Sequence, residues 1–293
     1  MINFLKRTIF AYEWQVGIVD SFSTLQDLDF EADIKWVKSD YKDGWFADPF
    51  ILEYNEKSIT ILVEELYYAT GRGRISKIIV DRASREIVSV VPILELDTHL
   101  SFPLIFKSGG NVYVCPENSK SGGWNLYLYN RESESLDFIK KIADIPLTDA
   151  TYIEIGGTTY ILSTQLPDPN GKKLSIYRCG KDLFNSIELD STFEFDENIA
   201  RNAGAVFKDG DSLIRPAQEC NQTYGRSISF QKMTCEDGVF EFKEIKRVRL
   251  KNKKAIAFHT FNVCDSFVAL DRKIPKYPFI FKICTSISQM IKK

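Results

Sequence analysis

Gly44-Trp45-Phe46-Ala47-Asp48-Pro49-Phe50-Ile51-Leu52 sets a carboxylate and a proline directly before an apolar run with the composition of a buried strand. The pattern recurs. Aligned on Asp48, the segments DPFILEYN, FPLIFKSGG (from Phe102), ATYIEIGG (from Ala150), AGAVFKDG (from Ala203) and TFNVCDS (from Thr260) each read as an apolar strand closed by a polar or glycine turn, at spacings of 54, 48, 53 and 57 residues. After each comes a second strand (SITILVEE, NVYVCPE, TTYILST, DSLIRPAQ, SFVALDR), so each pair is a hairpin.

Four units continue into a third alternating strand (GRISKIIVD, WNLYLYN, KLSIYRC, RSISFQK) and a more polar fourth (IVSVVPIL, LDFIKKIA, NSIELD, FKEIKRVRL), whereas the fifth stops after two. Four-stranded units at this period predict an all-β fold, a five-bladed β-propeller over residues 1–272. The strands around Ile9–Val19 and Asp33–Lys38 are expected to complete the fifth blade and close the ring. Residues 273–293 form a separate tail in which Ile280, Ile283, Ile287, Met290 and Ile291 recur at helical spacing among lysines, predicting a short basic amphipathic C-terminal helix. Such a helix fits peripheral contact with a membrane surface or packing on the side of the propeller.

Composition agrees with this reading: of 293 residues, 44% are hydrophobic and 13% aromatic. A formal charge of −2 gives no global field for nucleic acid. The six cysteines are scattered without a CxxC pair, which argues against a zinc site and a disulfide framework and for reduced thiols; no metal and no cofactor is implied. The N-terminal apolar run is broken by Glu13 and Gln15 and lacks a small-residue cleavage site, favouring the cytoplasm, with the inner membrane surface as the place where the tail would act.

Propeller inner strands start at one mouth of the central channel, so the residues there converge although they are distant in sequence. Immediately before the anchors stand Ala47, Ser101, Asp149, Asn202 and His259, with Trp45, Asp48, His99 and Arg201 close by; second strands end in Glu64 and Glu65, Glu117, Thr164, Arg215 with Gln218, and Asp271 with Arg272. In this register Asp48 is the lone aspartate at an anchor, and Ala47 takes the place that Asp149, Asn202 and His259 hold elsewhere. Carboxylates, arginines, amides and aromatic faces together suit a sugar, arginines also suit phosphate, and paired carboxylates can perform glycosidic acid–base chemistry. The alternative for Glu64, Glu117 and Arg215 is ion pairing that holds blades together. The loop Ala69–Arg74 joins two strands rather than opening a helix, so it is a hairpin turn whose Arg72 and Arg74 are candidates for holding an anion, as are Arg201, Arg215 and Arg226.

The ADPF strand start with an acid-ended second strand resembles the propellers of family 43 glycoside hydrolases, in which an inner-strand Asp-Pro carries the general base. By that resemblance Asp48 is the base and Asp149 the second aspartate, but the Glu-Gly-Pro that supplies the acid has no counterpart here. A likeness over Trp45–Asn262 is carried by WFADPF, VEE, GRGRI, HLSFP, PEN, DAT, RNAG, RPAQEC with YG, and HTFN. In that order they resemble the N-terminal propeller of plant glucosamine inositolphosphorylceramide transferases and bacterial relatives associated with surface polysaccharide. The resemblance implies a sugar, sugar-phosphate or glycolipid substrate. Asp48 is then expected to act as base with Glu64, Glu65 or Glu117 as acid, and Trp45, His99, Asn202, Gln218, Tyr224 and His259 to line the substrate site. The leading expectation is a glycosyltransferase-like enzyme of surface polysaccharide or glycolipid synthesis, with a family 43-like glycoside hydrolase and a non-catalytic glycan-binding propeller as the alternatives.

Overall fold

The computed structural model describes residues 12–180, 186–251 and 255–276. Two N-terminal strands, β1 (Tyr12–Val19) and β2 (Lys35–Trp36), precede the first full blade, which is β3 (Gly44–Tyr54), β4 (Ser58–Tyr67), β5 (Arg72–Asp81) and β6 (Ile87–Leu94). Blade two is β7 (Ser101–Ser108), β8 (Asn111–Glu117), β9 (Trp124–Asn130) and β10 (Ser135–Ala143); blade three is β11 (Leu147–Ile155), β12 (Thr158–Gln165), β13 (Lys173–Cys179) and β14 (Ile187–Glu194). Blade four is β15 (Phe207–Asp209), β16 (Ser212–Glu219), β17 (Ser227–Glu236) and β18 (Val239–Val248). The last two strands, β19 (Phe261–Cys264) and β20 (Phe267–Pro275), take β1 and β2 as their outer partners, giving five four-stranded antiparallel sheets. The protein is a five-bladed β-propeller closed by its N-terminal strands, as the repeats predict. β1 pairs with β20 from Tyr12↔Pro275 to Val19↔Val268. The expected C-terminal helix falls after Lys276, outside the described residues; before it, Lys273–Pro275 extend β20. Among the described residues no helix is long and apolar enough to cross a membrane.

Strand polarity follows blade position. β4 is buried along seven consecutive residues because neighbouring blades cover both its faces: Ile59, Ile61 and Val63 pack toward blade five, and Leu62 toward blade two. Outermost strands such as β18 touch one neighbour and carry charge on the free side. Five apolar clusters fill the five blade interfaces, and the β1–β2 connection adds Phe22, Leu25, Leu28 and Phe30 over the junction of blades four and five.

The inner strands carry a feature that decides the site. In blade one the pairing steps from Ala47↔Glu64 to Phe50↔Leu62, in blade two from Ser101↔Glu117 to Leu104↔Cys115, and in blade three from Thr148↔Thr164 to Thr151↔Leu162. Each is a β-bulge, and the residue after the first of each pair is left-handed: Asp48 at φ 48°, Phe102 at 43° and Asp149 at 43°. The register expected from the apolar runs is therefore corrected. Asp149, not Ala150, is the counterpart of Asp48 and Phe102. The extra bulge residues shift the apolar run relative to the anchor, which a count of hydrophobic positions cannot detect.

Non-glycine residues held left-handed cost on the order of 1–3 kcal/mol each and persist where the surroundings over-determine them. Here the bulge turns each amide toward an acid of the preceding blade. Asp48 N–H donates to Asp271 Oδ2 (3.1 Å), Phe102 N–H to Asp48 Oδ2 (3.1 Å), and Asp149 N–H to Glu117 Oε2 (2.9 Å). The ring is completed by Asn202 Nδ2 donating to Leu162 O (2.8 Å), Phe261 N–H to Ala203 O (2.7 Å) and Asn262 Nδ2 to Pro49 O (2.9 Å).

Candidate active site

The bulges and the ends of the second strands bring Asp48, Glu64, Glu117, Asp149, Gln218, His259 and Asp271 to one mouth of the channel, with Arg201 and Tyr224 over them. Two linked groups make up the floor.

The first joins blades five and one. Asp48 Oδ1 accepts from Thr260 Oγ1 at 2.8 Å and lies 3.6 Å from His259 Nε2. His259 Nδ1 donates to Asp271 Oδ1 at 2.8 Å, and Asp271 also accepts from the amides of Asp48, His259 and Thr260. Trp14 stacks on the imidazole at 3.8 Å between ring centroids, and the Tyr224 ring meets it edge-on at 5.3 Å. Burial pushes the Asp48 carboxyl up to about 7, with Glu64, Asp149 and Asp271 adding to the push and His259 opposing it. Burial works to depress His259, yet Asp271 and Asp48 outweigh it and hold the imidazole above its ordinary value.

The second group joins blades two, three and four. Arg201 donates through Nε to Asp149 Oδ2 (2.6 Å), through Nη2 to Glu117 Oε2 (3.2 Å) and through Nη1 to Asn170 Oδ1 (3.0 Å), and its guanidinium lies 5.1 Å from the centre of the Tyr224 ring. Gln218 Nε2 donates to the same Asp149 oxygen at 2.6 Å, and Asn202 Nδ2 to the Asp149 carbonyl at 2.7 Å. Burial works to raise Asp149, but the Arg201 charge wins and holds the carboxyl below the usual range. Glu117 goes the other way: burial, helped by Asp149 and opposed by Arg201, pushes it up to about 8.

Glu64 and Glu65 are separated by the alternation of β4. Glu64 Oε1 receives His99 Nε2–H at 3.1 Å, and His99 Nδ1 accepts the Gly73 amide at 2.9 Å, which fixes the tautomer. A side chain at Gly73 would meet Leu100 O at 2.3 Å and Glu64 Oε1 at 2.9 Å, so this contact needs glycine. Glu65 lies on the opposite face, fully buried, where it takes Arg74 in a two-point contact (3.0 and 2.8 Å), Ser76 Oγ and Tyr41 OH.

Of the remaining predicted positions, Arg74 is thus held by Glu65 and by Glu95, and Arg215 is fully buried within blade four on Asn202, Gln231 and the Ala200 carbonyl. Arg72 stands at the periphery, 3.8 Å from Asp97. Arg226 anchors the β16–β17 loop through its amide on Glu219 O, and Trp45, half-buried, packs beside Trp14 and Ala47.

Residue-by-residue reading of the sequence left Trp14 and Asn170 out of the site: Trp14 enters only because β1 closes the ring, and Asn170 comes from a loop with no periodicity. Asp48, His259 and Asp271 are a cluster with metal-ligating atoms within 4.8 Å of one another, all buried. Within this cluster His259 Nδ1 and Asp271 Oδ1 lie at hydrogen-bonding distance, 2.8 Å.

Residues 34–263 match the model of the family described as glucosamine inositolphosphorylceramide transferase 1, N-terminal. The chain belongs to this family. Relatives of the glucosamine inositolphosphorylceramide transferase 1 family include that protein from Oryza sativa subsp. japonica, 26% identical over 216 residues, and from Arabidopsis thaliana, 27% identical over 206. These alignments cover 70% and 68% of this chain but only 28% and 26% of the plant proteins, so the chain spans about a quarter of their length. Among solved structures, a family-43 glycoside hydrolase from Xanthomonas citri complexed with xylose has a TM-score of 0.53 at 10% identity, covering 80% of this chain and 88% of that one. A family-43 β-1,3-galactosidase with galactodeoxynojirimycin has a TM-score of 0.52 at 8% identity, over 71% and 78%. At such identities the likeness is one of fold.

Proposed function

We propose that this propeller is a carbohydrate-active enzyme that binds an activated or lipid-linked sugar in the funnel and transfers its glycosyl group during surface glycan or glycolipid synthesis. The observation that carries the reading is Asp48. It is a buried carboxyl pushed up to about 7, held by two hydrogen bonds at a strained bulge in the channel mouth. A general base is most effective when its pKa lies near the working pH. In the reaction, ionised Asp48 takes the proton of the acceptor hydroxyl as its oxygen attacks the anomeric carbon, and the bond to the leaving group breaks. Glu117, protonated at neutral pH, delivers a proton to the departing oxygen, the role left open by the missing Glu-Gly-Pro. Asp149, kept ionised by Arg201, stabilises positive charge developing on the sugar ring. The glucosamine and ceramide named in the plant relatives support a sugar and a lipid as partners. The basic C-terminal segment would bring the enzyme to the cytoplasmic surface of a membrane, within reach of a lipid substrate.

Glycoside hydrolysis is the second reading, favoured by the same pair of raised carboxyls with water as acceptor. Incubation of the full chain with nucleotide sugars and lipid acceptors, followed by mass spectrometry, separates the two. Transfer predicts a glycosylated lipid, and Asp48→Asn should lower its rate by about 10²- to 10⁴-fold. Release of free sugar identifies hydrolysis. Full turnover by Asp48→Asn contradicts the assignment of the base.

A further inference from the structure

Asp271, Arg272 and Lys273 run on along β20, although the sequence pattern alone puts the last of them in a separate tail. In the pairing of β1 with β20, Lys273 lies opposite Trp14 and Asp271 opposite Val16, so Lys273 and Asp271 leave the same face of blade five. Asp271 reaches His259, on which Trp14 stacks, and the Lys273 ammonium lies 5.5 Å from the centre of the Trp14 ring and 5.1 Å from that of Tyr12. The residue is half-buried, and its Nζ keeps accessible surface.

The other cations traced at the mouth are each taken by an acid. Arg201 is on Asp149 (2.6 Å) and Glu117 (3.2 Å), His99 on Glu64 (3.1 Å), and His259 on Asp271 (2.8 Å). Lys273 makes no ion pair and no side-chain hydrogen bond among the described residues. Its aromatic neighbours attract the charge but replace none of the strong hydrogen bonds that an ammonium makes to water. Burial, unopposed by any acid, draws it below its ordinary value. Desolvation without compensation makes it a ready partner for an anion arriving from the solvent side, and lysine meets phosphate as a point charge.

We propose that Lys273 binds a phosphoryl group at the blade-five rim of the funnel, and that this group belongs to the glycosyl acceptor. Its assignment to the acceptor rests on the transfer reading above. Lys273, Trp14 and His259 lie on the side of Asp48, which takes the acceptor's proton, whereas Glu117, which protonates the departing oxygen, is held by Arg201 among blades two to four. The acceptor is then an anionic polyol, with a free hydroxyl at Asp48 and its phosphoryl group at the rim.

The test is calorimetric binding by the full chain at neutral pH, with glycerol, inorganic phosphate, glycerol 3-phosphate and dihexanoyl phosphatidylglycerol as probes. The phosphate-bearing probes are expected to bind and glycerol not, with an affinity loss of about tenfold or more in Lys273→Met and recovery in Lys273→Arg. Because Lys273→Met could disturb the rim, the ε-methylene resonance of Lys273 in the wild type is followed as well, and it should move on saturation with phosphate. Tighter binding of glycerol 3-phosphate than of the lipid places the phosphoryl group on a soluble acceptor, and the reverse order places it on a lipid. Phosphate binding that is undiminished in Lys273→Met, or that leaves the Lys273 resonance unmoved, overturns the inference and leaves the carbohydrate reading standing, as does failure of every phosphate probe to bind. Where transfer is detected, equal use of an acceptor with and without its phosphoryl group overturns the acceptor assignment. Absence of all glycosyl turnover, with Lys273-dependent phosphate binding intact, overturns the carbohydrate reading and keeps the anion site.

Discussion

Blades one and three present an aspartate at the same bulge position, in nearly the same backbone conformation, and the two carboxyls are driven in opposite directions. Asp48 at φ 48° is pushed up to about 7, while Asp149 at φ 43° is held below the usual range. Both are almost fully buried, at 4% and 2% exposure, so desolvation alone does not separate them. The difference is the neighbour: Asp149 has a guanidinium at 2.6 Å, and Asp48 has an imidazole at 3.6 Å that is already engaged with Asp271. The repeat supplies position and the residues grafted on each blade supply protonation state, so one fold sets a raised and a lowered carboxyl in the same register.

The largest expected effect comes from removing the charge that distinguishes the two. Arg201→Met leaves the Asp149 carboxylate buried without a counter-charge, and should lower stability at neutral pH by about 3–5 kcal/mol, measured by urea denaturation. In the surviving folded fraction the Asp149 carboxyl should titrate upward toward Asp48. Asp271→Asn attacks the other side. It weakens the four contacts that place His259 and the Asp48 amide, costing about 1.5–3 kcal/mol, and lets burial pull the His259 pKa down, visible in imidazole NMR titration.

A smaller effect tests the sign of the Asp48 shift. Its folded pKa of about 7 lies above the ordinary 3.8, so between these values the folded state holds a proton that the unfolded state has lost. Stability from this group is therefore full below the lower value and falls as pH rises through the upper one. Asp48→Asn should flatten that fall between about pH 4 and 8 in thermal unfolding curves. The smallest effect is a control outside the comparison. Tyr41→Phe removes one hydrogen bond to Glu65, on the face of β4 turned away from the funnel, and should cost about 1 kcal/mol while leaving the titrations of Asp48 and Asp149 unchanged.

Much of this architecture is legible in the residues. The apolar inner strands, buried on both faces, read as near-continuous hydrophobic runs, and the polar outer strands alternate, so blade number and closure follow from spacing. The convergence of Asp48, Glu117, Asp149, Arg201, Gln218 and His259 is legible for the same reason. The equivalence of Asp48 and Asp149 is not, because each bulge adds residues that pair with nothing. The contrast of Glu64 with Glu65 was available from the period of a strand, but which of the two faces the channel depends on the bulge at Ala47–Phe50. Arg201 and Arg215 look alike in sequence; only the packing of blade four shows that one reaches the funnel and the other is enclosed.

The most direct test of this account is a ¹³C NMR titration of the carboxyl resonances of Asp48 and Asp149 in the folded wild-type protein. The account predicts an Asp48 midpoint near 7 and an Asp149 that stays ionised across the whole range in which Asp48 titrates. Two aspartates titrating together, or an Asp48 already fully ionised at about pH 5, would contradict it.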